Sequence, residues 1–89
     1  MKAVITVIGK DTVGIIAKVA TLCAEYSANI EDITQSVLKE YFAMIMLVEL
    51  DGLTVDFATF ADAMTKAGGE CGVDIRVMHE DIFNTMHRI

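Results

Sequence analysis

Residues 2–8 read KAVITVI, a β-branched and almost unbroken apolar run. Such a run fits a strand buried on both faces rather than one with a wet side. Ala3, Ile5 and Val7 point one way, and Val4, Thr6 and Ile8 the other. Gly9 and Lys10 stop it. A second stretch, residues 41–50, YFAMIMLVEL, is apolar on both sides as well: Phe42, Met44, Met46 and Val48 oppose Ala43, Ile45 and Leu47. Two strands of this kind belong in the middle of one sheet, and the rest of the chain must supply its edges and its cover.

The segment between them begins with Asp11 or Thr12, either able to cap a helix by accepting from its first free N–H groups. From Val13 to about Tyr26 the apolar residues, among them Ile15, Val19, Leu22, Cys23 and Tyr26, recur at three- and four-residue steps. Asn29 is placed to end this helix in a left-handed conformation. Residues 32–38 then alternate as a second strand, and a turn at Lys39 and Glu40 makes an antiparallel hairpin with residues 41–50.

Asp51-Gly52 breaks the third strand. Thr54 is expected to cap a second helix, with Asp56 in its first turn and Phe57, Phe60, Ala61, Met64 and Ala67 as its stripe. Gly68-Gly69 is expected to end it. Residues 73–78 form a fourth strand. Glu80 and Asp81 open a helical tail whose Ile82, Phe83, Met86 and Ile89 give it an apolar side.

The order βαββαβ, with right-handed crossovers, predicts an α+β ferredoxin-like sandwich. It has a four-stranded antiparallel sheet, two helices on one face and a short C-terminal helical tail. The first and third strands are central in that topology, and they are the two most apolar. Residues 1–89 are read as one domain, with 79–89 its tail.

Composition narrows the function. A net charge of −6 and a sequence pI of about 4.6 leave no basic stripe to neutralise phosphates, so nucleic acid and anionic membranes are disfavoured as direct partners. The apolar share, 54%, exceeds the usual ~45–50% and argues for a homo-oligomer. With no signal pattern and no apolar run of spanning length, the expected location is cytoplasmic. Cys23 and Cys71 lack metal-ligand spacing, and Cys23 lies on the apolar side of its helix. His79 and His87 do not recur in a paired pattern, so no metal is expected. Met44 and Met46 read as packing, and Met86 as a residue that covers a partner. Neither a nucleophile–base arrangement nor a phosphate loop is present, so neither catalysis nor a cofactor is expected.

The run DTVGIIAKVATLCAEYSANIEDITQSV, with its Gly at the helix start and Ala-Asn-Ile before the second strand, resembles the ACT domain family. The likeness covers nearly the whole chain. The YFAMIMLVEL strand and the EDIFNTMHRI tail resemble small stand-alone bacterial ACT proteins, kin to the regulatory domains of the glycine-cleavage repressor. ACT domains commonly open the first helix with Asp-x-Pro-Gly; here Asp11-Thr12-Val13-Gly14 keeps Asp and Gly, and the chain has no proline.

The resemblance implies that amino acids or related metabolites bind at dimer interfaces. The site implied lies between the first strand–helix loop of one subunit and the helix–strand corner of its neighbour. By position it involves Asp11, Thr12, Val13, Gly14, Asn29, Ile30 and Asp32. A helix N-terminus suits a carboxylate, Gly14 leaves room for close approach, and Asp32 or Glu31 can answer an ammonium. Each residue also has an ordinary explanation: Asp11 or Thr12 as a cap, Gly14 as a tight-packing residue, Asn29 as a terminator, Asp32 as a solvated strand end. Two functions follow, a ligand-binding regulatory homodimer or a ligand-free interaction module that docks a protein partner by sheet pairing or through its tail.

Overall fold

The computed structural model describes residues 1–10 and 14–86. Asp11, Thr12, Val13, His87, Ile89 and the side chain of Met86 lie outside the described residues. The elements are β1 (Lys2–Lys10), α1 (Ile15–Glu25), β2 (Asn29–Leu38), β3 (Tyr41–Glu49), α2 (Phe57–Cys71), β4 (Asp74–His79) and α3 (Glu80–Met86). The sheet runs β2-β3-β1-β4 with every neighbouring pair antiparallel. The ferredoxin-like architecture read from the sequence is therefore the one observed, with β1 and β3 central and β2 and β4 at the edges.

One face of the sheet carries the core. Ala3, Ile5 and Val7 of β1 and Phe42, Met44, Met46 and Val48 of β3 are buried there. They meet Ile15, Val19 and Cys23 from α1 and Phe60 and Met64 from α2. Met44 and Met46 are packing residues, as their shared strand face predicts. Burial pushes the Cys23 thiol up to about 11, so it stays protonated and unreactive at neutral pH.

Several element ends differ from the sequence reading, and tertiary contacts explain them. The left-handed residue after α1 is Ser27 (φ 60°), not Asn29. There the Ala28 N–H bonds to the Cys23 carbonyl at 2.8 Å and the Ser27 N–H to that of Ala24 at 3.2 Å, a Schellman pair. Ala28 and Cys23 are both buried, so their contact fixes where the helix turns and frees Asn29 to begin β2. Likewise α2 runs through Gly68 and Gly69 to Cys71 and ends at the left-handed Gly72 (φ 74°). Gly68 is needed for another reason: a Cβ on it would come within 2.8 Å of the Val73 carbonyl oxygen.

The cap of α2 also moves. Asp56, extended at φ −72° and ψ 163°, accepts from the Thr59 N–H at 3.2 Å, whereas Thr54 lies two residues too early. Hydrogen bonds from the Thr59 side chain and then its backbone hold the Asp56 carboxyl below the usual value. A depressed carboxylate stabilises above its unfolded pKa and loses that contribution as pH falls through its folded pKa. Asp56→Ala should therefore lower the urea midpoint at neutral pH and erase part of the acid-side loss, while Thr54→Ala should leave both unchanged. Equal effects from the two substitutions would return the cap to Thr54.

α3 packs against β1 and β4. It lies on the face opposite α1 and α2, where Phe83 joins Thr6, Ile8 and Ile45 around one hollow. Among the described tail residues, Phe83 is half-buried on the chain's own sheet rather than held out to a partner, while Ile82 is well exposed. The physical reason is Val4, which the open face would otherwise leave wet and which is only 4% exposed.

Candidate functional site

The helix start expected to matter is built on Gly14, the residue before α1, at φ 86° and ψ 0°. That backbone is strained for any residue with a side chain. Space is not the constraint, since a Cβ at Gly14 would meet nothing within 4 Å. Tight packing thus drops out as the reason for this glycine, and conformation replaces it. Gly14 is exposed, and α1 has no acidic residue in its first turn. Asp11, Thr12 and Val13 of the same corner fall outside the described residues.

The other half is the start of β2. Asn29 pairs with Glu49, Ile30 with Val48 and Asp32 with Leu47, the register shifting at Glu31. The bulge directs Glu31 to Lys2, whose ammonium its carboxylate meets at 2.9 Å. Hydrogen bonding to Glu31, more than any other cause, raises the Lys2 pKa. Asp32 forms no ion pair among the described residues; its Oδ1 accepts from the Ile33 N–H at 2.9 Å. Of the two acids, Glu31 is therefore engaged within the chain and Asp32 is the one without a cationic partner among the described residues.

The register separates these halves. Asn29 stands opposite Glu49, which stands opposite Lys2, while Leu38 stands opposite Tyr41, which stands opposite Lys10. Asn29, Ile30 and Asp32 are therefore at the end of the sheet where β1 begins, and Gly14 is beyond the end where β1 stops. At ~3.3 Å per residue the strands hold them about 25 Å apart. A single chain does not bring them together.

Between the two ends runs β2, with all ten residues exposed or half-buried. Ile33, Gln35 and Val37 pair with Met46, Met44 and Phe42, so they face the helix side, yet Val37 is 66% exposed and Leu38 beside it 72%. An edge strand with open backbone groups and apolar side chains is a ready template for pairing.

A cleft among the described residues lies elsewhere. A hollow of about 450 Å³ opens on the other face of the sheet, between β1, β3, β4 and α3. Ile8, Ala43 and Ile45 contribute to its floor, Met78 and Phe83 to its wall, and Thr6, Asp74 and Arg76 its polar groups. The sequence marks this face as apolar through Val4, Ile8 and part of the third strand, a surface for back-to-back packing, but not the hollow or its polar groups. One signal was available: Thr6 is the sole polar residue between Ala3 and Ile8.

The ACT domain family pattern matches residues 2–78. A UPF0237 protein of Methanopyrus kandleri is 49% identical over 88 residues, covering 99% of this chain and 98% of its own. The structure of an ACT domain protein from Streptococcus pneumoniae superposes with a TM-score of 0.81 at 42% identity, covering 93% of each chain. The ligand-free regulatory subunit of aspartate kinase from Thermus thermophilus matches with a TM-score of 0.65 at 27% identity, over 85% of this chain and 49% of that one.

Proposed function

The chain belongs to the ACT domain family, and from that premise we propose that it is an amino-acid-binding regulatory module that works as a homodimer. Residues 1–89 act in this reading as one domain, with residues 79–89 its tail. The observation that carries it is the placement of the two half-sites at opposite ends of β2. An antiparallel pairing of β2 with its own two-fold copy extends the sheet and satisfies the open edge. It also carries Asn29, Ile30 and Asp32 of one subunit to the Leu38 end of the other, the end that hands on to Gly14. Two equivalent sites result, each made of both chains.

At such a site the ligand carboxylate faces the first turn of α1, with its open N–H groups and partial positive charge. The Asp32 carboxylate meets the α-ammonium, and Asn29 donates and accepts beside it. Asp11, Thr12 and Val13 complete the loop around Gly14. A name among the structural neighbours supports the regulatory half of the reading, since one is a regulatory subunit of an amino-acid kinase.

Calorimetric titration of the dimer with the common amino acids tests this. One chemical class should bind, and Asp32→Asn should weaken it by about tenfold, the value of a charge-assisted contact. Ile33→Lys with Val37→Lys, both on exposed positions, should yield a folded monomer by sedimentation and abolish the heat. An intact dimer that no amino acid heats would leave the ligand-free dimerisation module as the surviving reading. A wild-type monomer would remove both.

A further inference from the structure

We infer that the open face of the sheet carries a second small-molecule site, for an amphipathic carboxylate with a compact apolar body and one anionic head. The hollow there, about 450 Å³, is of the size that encloses small ligands, and its lining is mostly apolar with a few polar groups. Ile8 is 54% exposed and Ile45 44%, both on central strands where a lone chain gains by covering them. A second sheet is not the cover. α3 stands on this same face and already shields Val4, so it leaves a hollow walled by Phe83 and not a plane on which another sheet could close.

The polar groups choose the head. Thr6 and Arg76 are direct partners across the β1–β4 ladder, so both converge on one side of the hollow. The Thr6 hydroxyl is half-buried and has no hydrogen-bond partner among the described residues. Arg76 donates through Nε to Asp74 Oδ2 at 3.1 Å, an exposed pair that orients the guanidinium and leaves both Nη nitrogens for a ligand. That fork matches a carboxylate in two parallel bonds, and the Thr6 hydroxyl can donate a third. Asp74 cancels the charge of Arg76, so the head is held by directed hydrogen bonds more than by net attraction, and modest affinity is expected.

This site is separate from the β2 dimer site and does not depend on it. Its test is a methyl and amide NMR titration of the full chain with 3-phenylpropanoate, using 3-phenylpropanamide and 2-phenylethylamine as head-group controls. The carboxylate should saturate, with shifts centred on Ile8, Ala43, Ile45 and Phe83 and a Kd of about 1 mM, as suits a small fragment. The amide and the amine should bind about tenfold more weakly. Arg76→Gln, at an exposed position, and the near-isosteric Thr6→Val should each reduce the carboxylate's affinity, while Asp32→Asn should not. The proposal is overturned if the shifts do not saturate or fall elsewhere on the fold, or if either control binds as well as the carboxylate. It is equally overturned if Arg76→Gln leaves the Kd unchanged.

Discussion

Phe60→Ala is expected to destabilise the fold by about 3–4 kcal/mol, the lower part of the range for emptying a buried phenylalanine site. Phe60 is fully buried on the apolar stripe of α2. The ring of Tyr26, at the end of α1, meets it edge-on, with centroids 6.0 Å apart and planes at 86°. Truncation removes the transfer energy, opens a cavity and takes from Tyr26 a partner worth ~0.5–1.5 kcal/mol on its own. The neighbourhood moderates the loss. Met44, Met46 and Met64 share this core, and unbranched thioether chains can swing partway into a void. Domains of this size hold about 5–15 kcal/mol in all, so the variant would be marginal. Guanidinium unfolding reads the result as a midpoint shift at constant m. A loss below about 1 kcal/mol would mean that the two helices do not rest on this ring.

The sheet was legible because its central strands carry a signal that nothing else in the chain imitates. KAVITVI and YFAMIMLVEL are apolar on both faces, which marks them as central. Burial on both faces does not follow: the helices cover one face, and Ile8 and Ile45 on the other stay exposed. The partner strands were legible by difference: β2, which alternates, became the exposed edge. Helix ends were read less well, because the residues that mark them answer to contacts distant in sequence. Asn29 has the chemistry of a terminator, but the buried pairing of Ala28 with Cys23 sets the turn two residues earlier, at Ser27. Thr54 and Asp56 are both good caps by type, and only the position of Thr59 decides between them.

The site divides along the same line. The residue types of the proposed site were visible in the sequence, and the neighbouring subunit it would need was implied only through resemblance. What the structure adds is the register, which puts Gly14 and Asp32 at opposite ends of the sheet. No local pattern encodes such a separation. The open-face hollow was invisible for a related reason: it exists because α3 folds back over Val4, and an apolar tail looks the same in sequence whether it covers its own sheet or another protein.

Gly68→Ala and Gly69→Ala are expected to change stability in opposite directions, although the two glycines are adjacent in one helix. Read as a helix stop, the pair would answer alike. In the fold both are interior to α2, where alanine should gain about 1 kcal/mol over glycine from propensity alone. Gly69 is exposed, and a Cβ there would meet nothing within 4 Å, so that gain should appear in full. At Gly68 a Cβ would lie 2.8 Å from the Val73 carbonyl oxygen, 2.9 Å from Ile75 Cγ1 and 3.1 Å from the Ile75 nitrogen. Two of these three atoms are backbone, and the Gly68 carbonyl itself accepts the Val73 N–H at 2.9 Å, so neither side can withdraw cheaply. Overpacking of this kind costs about 1–3 kcal/mol, which outweighs the propensity gain. The net expectation is a loss of up to about 2 kcal/mol at position 68 against a gain of about 1 kcal/mol at 69, read from urea midpoints at equal m. Stabilisation by both would show that β4 can move off α2 at little cost. Destabilisation by both would show that the helix needs a glycine at 69 as well. Opposite signs would locate the requirement in the close approach of one helix to one edge strand, the contact that sets where β4, and with it Arg76, lies against β1.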